Sequence, residues 1–107
     1  MENKVSTIYA AKAFAALGSE QRLRVLRALV KAGPDGVTVG ELRERVDLPA
    51  STLTHHLKTL ADVDLVKQER LGRSIFCAAA DYAQVDALSM FLMQECCTQA
   101  KQMGKAS

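Results

Sequence analysis

Two clusters of side chains in this sequence have the types and spacing for chemistry. The first is Ser51, Thr52, Thr54 and His55, with Lys58 one helical turn further on. Hydroxyls and an imidazole exchange hydrogen bonds with phosphate oxygens and base edges, and an ammonium supplies charge for a phosphate. The second is Glu95-Cys96-Cys97, whose adjacent thiols, once ionised, bind thiophilic centres or react with oxidants. A third cysteine, Cys77, lies between Phe76 and Ala78. Packing is the favoured role there, with ligation as the alternative.

The first cluster acts through the element that carries it. Leu53, Leu57 and Leu60 recur at i, i+4 and i+7, which predicts a helix over about 50–63 with those leucines buried. Ser51, Thr52 and His55 then lie mostly away from the buried face. Ser51 alone fits a helix cap as well as a DNA contact. His56, beside Leu57 and near the inner face, is expected to make a structural hydrogen bond inside the helix-turn-helix. Strands over 65–70 and 73–78 follow, turning at Leu71-Gly72, so the hairpin spans about 65–78. Its Lys67, Arg70 and Arg73 suit phosphates or the minor groove. A helix with a polar N-terminal half, followed by a basic hairpin, can enter the major groove and brace on the adjacent backbone.

The remaining elements position these two. A first helix over about 6–17 carries Ile8, Ala11 and Ala15 as its stripe, with Phe14 and Leu17 alongside, and Gly18 stops it. Ser19 caps a second helix that buries Leu23, Leu26, Leu29 and Val30 and keeps Arg22, Arg24 and Arg27 as a polar rim. Gly33-Pro-Asp-Gly36 is a turn, and Val37 to Val39 a very short strand. A third helix over about 40–46 points Leu42 and Val46 inward, and Asp47-Leu48-Pro49 turns into the reading helix. A last helix over about 81–101 carries Val85, Leu88 and Leu92 as a stripe, flanked by Phe91. The expected fold is mainly α with a small β-hairpin, ordered α-α-α-α-β-β-α: a winged helix-turn-helix with one helix added at each end. The end helices are more apolar than a monomer of this size needs, and a dimer interface is their natural outlet.

Composition agrees with that fold. The 107 residues make one domain, 1–107, and 49% hydrophobic with 24% charged residues marks a globular chain. With 5% aromatic residues and no tryptophan, a Leu, Val and Ala core on helices fits better than a β-sandwich. A net charge of +2 permits nucleic acid without arguing for it. No apolar run reaches membrane-spanning length and the start lacks a signal-peptide core, so a cytoplasmic protein with reduced thiols and no membrane partner is expected. Catalysis is not expected: the only two histidines are adjacent on one helix, and no nucleophile–base or carboxylate pair presents itself.

Leu17-Gly-Ser-Glu-Gln-Arg-Leu-Arg-Val-Leu26, Ser51-Thr-Leu-Thr-His-His-Leu57, Leu65-Val66 and Gly72-Arg-Ser-Ile-Phe76 together resemble the ArsR/SmtB family of winged-helix repressors. The resemblance runs from about Ala13 to Cys97. It implies a homodimer held by the first and last helices, binding to an imperfect palindrome of double-stranded operator DNA, and release by an inducer. Three positions depart from the family pattern. Thr38 and Gly40 stand where many members have Cys-Val-Cys, and the last helix has no histidine for a zinc site. Asp64 replaces the usual glycine after the reading helix, where the left-handed conformation is less favourable for Asp.

Glu95-Cys96-Cys97 is similar to the ending of an ArsR subgroup that binds trivalent arsenic through cysteines at the end of the last helix. The resemblance implies As(III), Sb(III) or methylated As(III) as inducer, with no permanent cofactor. That subgroup has a third cysteine a few residues on, and this chain has none there. The open position falls to Cys77, a cellular thiol, hydroxide or a methyl group on the arsenic. Adjacent residues on a helix project about 100° apart, so chelation of one atom requires the helix end to unwind. Such unwinding would move the dimer away from its DNA-competent spacing. Two other readings stand beside this one. The thiol pair can sense persulfide or oxidants on the same fold, or the chain can be a winged-helix protein–protein module.

Overall fold

Ser6 opens the first helix by accepting a hydrogen bond from the backbone N–H of Tyr9 at 3.0 Å. In the computed structural model, which describes residues 5–80 and 82–94, this helix is α1 (Thr7–Leu17). Its buried face is Ala10, Ala13 and Ala16, while Ile8 is 74% exposed and Ala11 and Ala15 also face solvent. The expected stripe is therefore the outer face. α1 is apolar almost all round, so periodicity offered two faces; the alanine row is the one that allows close approach to α2 and α4.

Ser19 caps α2 (Glu20–Ala32) as expected, accepting from the Arg22 N–H at 3.3 Å. Val25, Leu26 and Leu29 are buried, whereas Leu23 and Val30 are 44% and 39% exposed, against the expectation. Two apolar rows overlap on this helix, and the core takes the one containing Val25. After the turn, Gly36 sits at φ 83, where an added Cβ would come within 2.7 Å of the Cys77 carbonyl oxygen. Only glycine lets the chain pass so close to the sheet.

β1 (Val37–Thr38) pairs antiparallel with the hairpin, and Val39 belongs to the next helix, one residue earlier than expected. A capping box starts α3 (Val39–Val46): the Glu41 N–H donates to Thr38 Oγ1 at 3.1 Å and the Thr38 N–H to Glu41 Oε1 at 2.9 Å. Leu42 and Val46 point inward as expected. Asp47, at φ 54, turns the chain towards α4 (Ala50–Asp62).

The hairpin is β2 (Val66–Leu71) and β3 (Ser74–Ala79), each displaced by one residue from the expected strands, with Leu71 opposite Ser74 across a Gly72-Arg73 turn. Gly72 adopts φ 66, which puts the turn in glycine's region and moves it one residue on from Leu71-Gly72. β1 completes a three-stranded sheet in the order β1-β3-β2. α5 (Tyr82–Met93) follows; Leu88 is buried, Val85 and Phe91 half-buried, and Leu92 exposed rather than inward. The core centres on Leu29 and Leu42 with Leu53, Leu57, Leu60 and Leu65. The result is a winged helix-turn-helix with a helix at each end. Among the described residues, no helix is long and apolar enough to cross a membrane.

Candidate nucleic-acid interface

The turn before α4 is pinned by α3. Arg43 Nε donates to the Leu48 carbonyl at 3.3 Å, the Asp47 N–H donates to the Arg43 carbonyl at 2.8 Å, and Leu48 is buried beneath them. Pro49 occupies the N-cap, and no side chain caps the helix. Ser51, in the first turn, therefore does not cap α4. The first backbone N–H groups of a helix point outward and carry partial positive charge. Left uncapped, they suit a phosphate.

α4 buries Leu53, His56, Leu57 and Leu60 on one face. That orientation turns Ser51, Thr54, His55 and Lys58 to solvent on the other side, while Thr52 is only partly exposed, at the edge of the buried face. Lys58 Nζ lies 3.2 Å from Asp62 Oδ2 one turn on, with both side chains largely in water. Such a pair holds weakly, at about 0–1 kcal/mol, and leaves Lys58 available to a phosphate. Thr59 is occupied locally, its hydroxyl donating to the His55 carbonyl at 3.1 Å.

In the wing, Arg70 and Arg73 are exposed at the hairpin tip. Strand alternation sends Lys67 to the face of β2 opposite Arg70, so the three expected wing cations divide between two faces. Glu69 shares the Lys67 face.

His56 is the buried polar residue of α4, at 8% exposure. Its Nε2 lies 3.0 Å from Gln21 Oε1, and Arg22 Nη1 approaches Nδ1 at 3.5 Å. Arg22 Nε also donates to the Ala16 carbonyl at the end of α1. A neutral ring that donates from Nε2 and accepts at Nδ1 satisfies both contacts. Burial lowers the His56 pKa from its usual 6.5, and the charge of Arg22 and then His55 lowers it further. The expected structural hydrogen bond is present, but its partners are on α2 rather than inside the helix-turn-helix. Arg22 is correspondingly a half-buried linker and not part of a polar rim. The clue in sequence was a histidine on the leucine face; nothing local named Gln21 as its partner.

Cys77 is 0% exposed in the middle of β3, with Gln68 Nε2 at 3.9 Å from its sulfur. Burial pushes its pKa up, a shift only partly offset by the Gln68 amide. It sits as a packed thiol. Cys96 and Cys97 lie outside the described residues, and no three potential metal-ligating side chains gather among the described ones.

Residues 17–69 match a family model described as a helix-turn-helix domain, from the end of α1 into β2. A comparison with curated protein sequences gives no significant match. Solved structures match over nearly the whole chain. An ArsR-like transcriptional regulator from Rhodococcus sp. RHA1 is 23% identical, with a TM-score of 0.74 over 92% of this chain and 90% of that one. Mb0332 from Mycobacterium bovis, described as a homodimeric winged helix-turn-helix DNA-binding domain and a possible ArsR-family regulator, is 18% identical with a TM-score of 0.68, covering 86% and 87%. This chain has the winged helix-turn-helix fold of ArsR-type regulators. HlyU from Vibrio cholerae, at 25% identity and a TM-score of 0.67, matches over 85% of this chain and 95% of that one. The expected winged helix-turn-helix fold holds.

Proposed function

We propose that this chain is a homodimeric ArsR-type repressor that binds an imperfect palindrome of double-stranded operator DNA and releases it when trivalent arsenic or antimony binds Cys96 and Cys97. The observation that carries the DNA half is the uncapped, outward-facing start of α4, together with the exposed Arg70 and Arg73 of the wing. Ser51, Thr54 and His55 read or position the duplex, with Thr52 at the edge, and Lys58, Arg70 and Arg73 bind phosphates. Dimerisation through α1 and α5 is supported by the exposed Ile8, Met90 and Leu92. The Mycobacterium bovis protein is likewise described as homodimeric. Two such protomers related by a two-fold axis present two reading helices to a palindrome.

The sensor half rests on thiol chemistry. Cys96 and Cys97 stand three and four residues beyond Met93, the last described residue of α5, so a chelate there would act close in sequence to a dimer helix. The packed, protonated Cys77 is a poor third ligand. A cellular thiol, hydroxide or a methyl group therefore fills the remaining position, and methylarsenite should induce at least as well as arsenite. A second reading keeps the repressor and replaces metalloid by persulfide or oxidant at the same thiols. One of the similar HlyU structures is described as reduced, which favours keeping it.

A promoter gel shift titrated with arsenite, methylarsenite, zinc and a persulfide donor tests both halves. Release by the arsenicals that is abolished in Cys96→Ser and in Cys97→Ser, with operator affinity kept, is the expected result. Release by persulfide alone, with added sulfur seen by mass spectrometry, would give the sensor to the second reading. A full arsenite response in the Cys96/Cys97 double variant would sink the sensor assignment.

A further inference from the structure

Three residues from three helices form a hydrogen-bonded chain that the DNA-reading surface does not use. Gln84 Nε2 on α5 donates to the Tyr9 hydroxyl on α1 at 2.9 Å, and that hydroxyl donates in turn to the carbonyl of Val63. Val63 is the C-cap of α4, where carbonyls have no partner inside the helix. Asp64 follows at φ 62, and the Leu65 N–H returns to the Leu60 carbonyl at 3.0 Å before β2 begins. Tyr9 thus grips the joint between the reading helix and the wing.

Shape alone constrains the register weakly at this place. The fully buried face of α1 is alanine, and its bulky Phe14 and Leu17 reach the core only from the edges, partly buried. A smooth contact of that kind resists separation better than sliding. A directional hydrogen bond resists sliding. Tyr9 and Gln84 are both half-buried, so water competes weakly for their bonds and each strengthens the other.

We propose that Tyr9 is a positioning residue, which, with Gln84, sets the C-terminal end of α4 from the position of α5. Its consequence for DNA rests on the operator-binding reading above; the positional coupling itself does not. A displacement of α5 against α1 pulls on Gln84, then on Tyr9, and reaches α4 at Val63, a few residues from the wing.

Hydrogen exchange on the full chain, without DNA, decides it. Tyr9→Phe keeps the ring and deletes the hydroxyl, and should speed exchange of the Asp64 and Leu65 amides about tenfold. Gln84→Met touches neither amide, yet should speed both several-fold. The double variant should be no faster than Tyr9→Phe alone, because both changes cut one chain. The Leu29 amide, in the core of α2, should not respond. Unchanged Asp64 and Leu65 amides in Gln84→Met, or effects that add in the double variant, would overturn the coupling. Should Tyr9→Phe fail to fold, the Gln84→Met result still decides. In a promoter titration both variants should lose several-fold in affinity at unchanged melting temperature. Full affinity in Tyr9→Phe would overturn the link to DNA, whereas a wild-type protein that binds no promoter removes the operator reading and leaves the exchange result standing.

Discussion

At its N-terminal end α4 has no side-chain cap and turns Ser51, Thr54 and His55 to solvent, whereas its C-terminal half is held from two sides. Gln21 and Arg22 of α2 engage His56, and Tyr9 of α1 engages the Val63 carbonyl. The adjacent histidines show the contrast at single-residue scale. His55 is exposed and His56 is buried in a hydrogen-bonded network. One helix thus has two different ends: polar groups at one end face solvent, while those at the other are satisfied by neighbouring helices that fix where that end points.

The largest break in this contrast comes from the buried face. Leu57→Ala removes a side chain that is nearly inaccessible at the centre of the core, and should cost about 2–5 kcal/mol in urea unfolding. It should take DNA binding with it. His55→Ala works at the open end. It should leave unfolding within about 0.5 kcal/mol of wild type. In a promoter titration it should cost about 1–3 kcal/mol if the imidazole reads a base, with less loss on a scrambled duplex.

Acidification sharpens the difference between the two histidines. The folded-state pKa of His56 is lowered, so the unfolded chain takes up its proton first. The stability this neutral ring contributes is therefore complete above its ordinary value near 6.5 and falls as the pH drops below it. Melting temperatures measured from pH 8 to pH 5 should decline more steeply in wild type than in His56→Gln, which has no proton to take up.

Arg73→Ala should have the smallest effect. It removes one phosphate contact, weakens all duplexes alike, and lowers the slope of log K against log salt by about 0.9. Sequence-selective loss in this variant would move base reading from α4 to the wing.

The legibility of these regions in the sequence follows from how many faces each helix offered. α4 has one apolar stripe, so Leu53, Leu57 and Leu60 were readable as core and Ser51 and His55 as outward, whereas Thr52, also read as outward, lies at the edge of the buried face beside Leu53 and His56. α1 and α2 carry competing apolar rows, and the choice of Ala10, Ala13 and Ala16 over Ile8, or of Val25 over Leu23, is made by the neighbours they pack against. The hairpin was readable as a hairpin, but its register was not, because Gly72 fits more than one position of a short turn. The partners of His56 and of Val63 were not readable at all: Gln21, Tyr9 and Gln84 lie far off in the chain, and no spacing rule joins them.

The most direct test of the division within α4 is fluorescence anisotropy of a labelled promoter fragment and a scrambled duplex of equal length, at one salt concentration, with wild type and a Thr54→Ala/His55→Ala double variant. Wild type should prefer the promoter. The double variant should lose most of that preference, at least about tenfold, while its affinity for the scrambled duplex, held by backbone contacts, changes little. A double variant that keeps the full promoter preference would contradict the assignment of the open end of α4 as the reading surface.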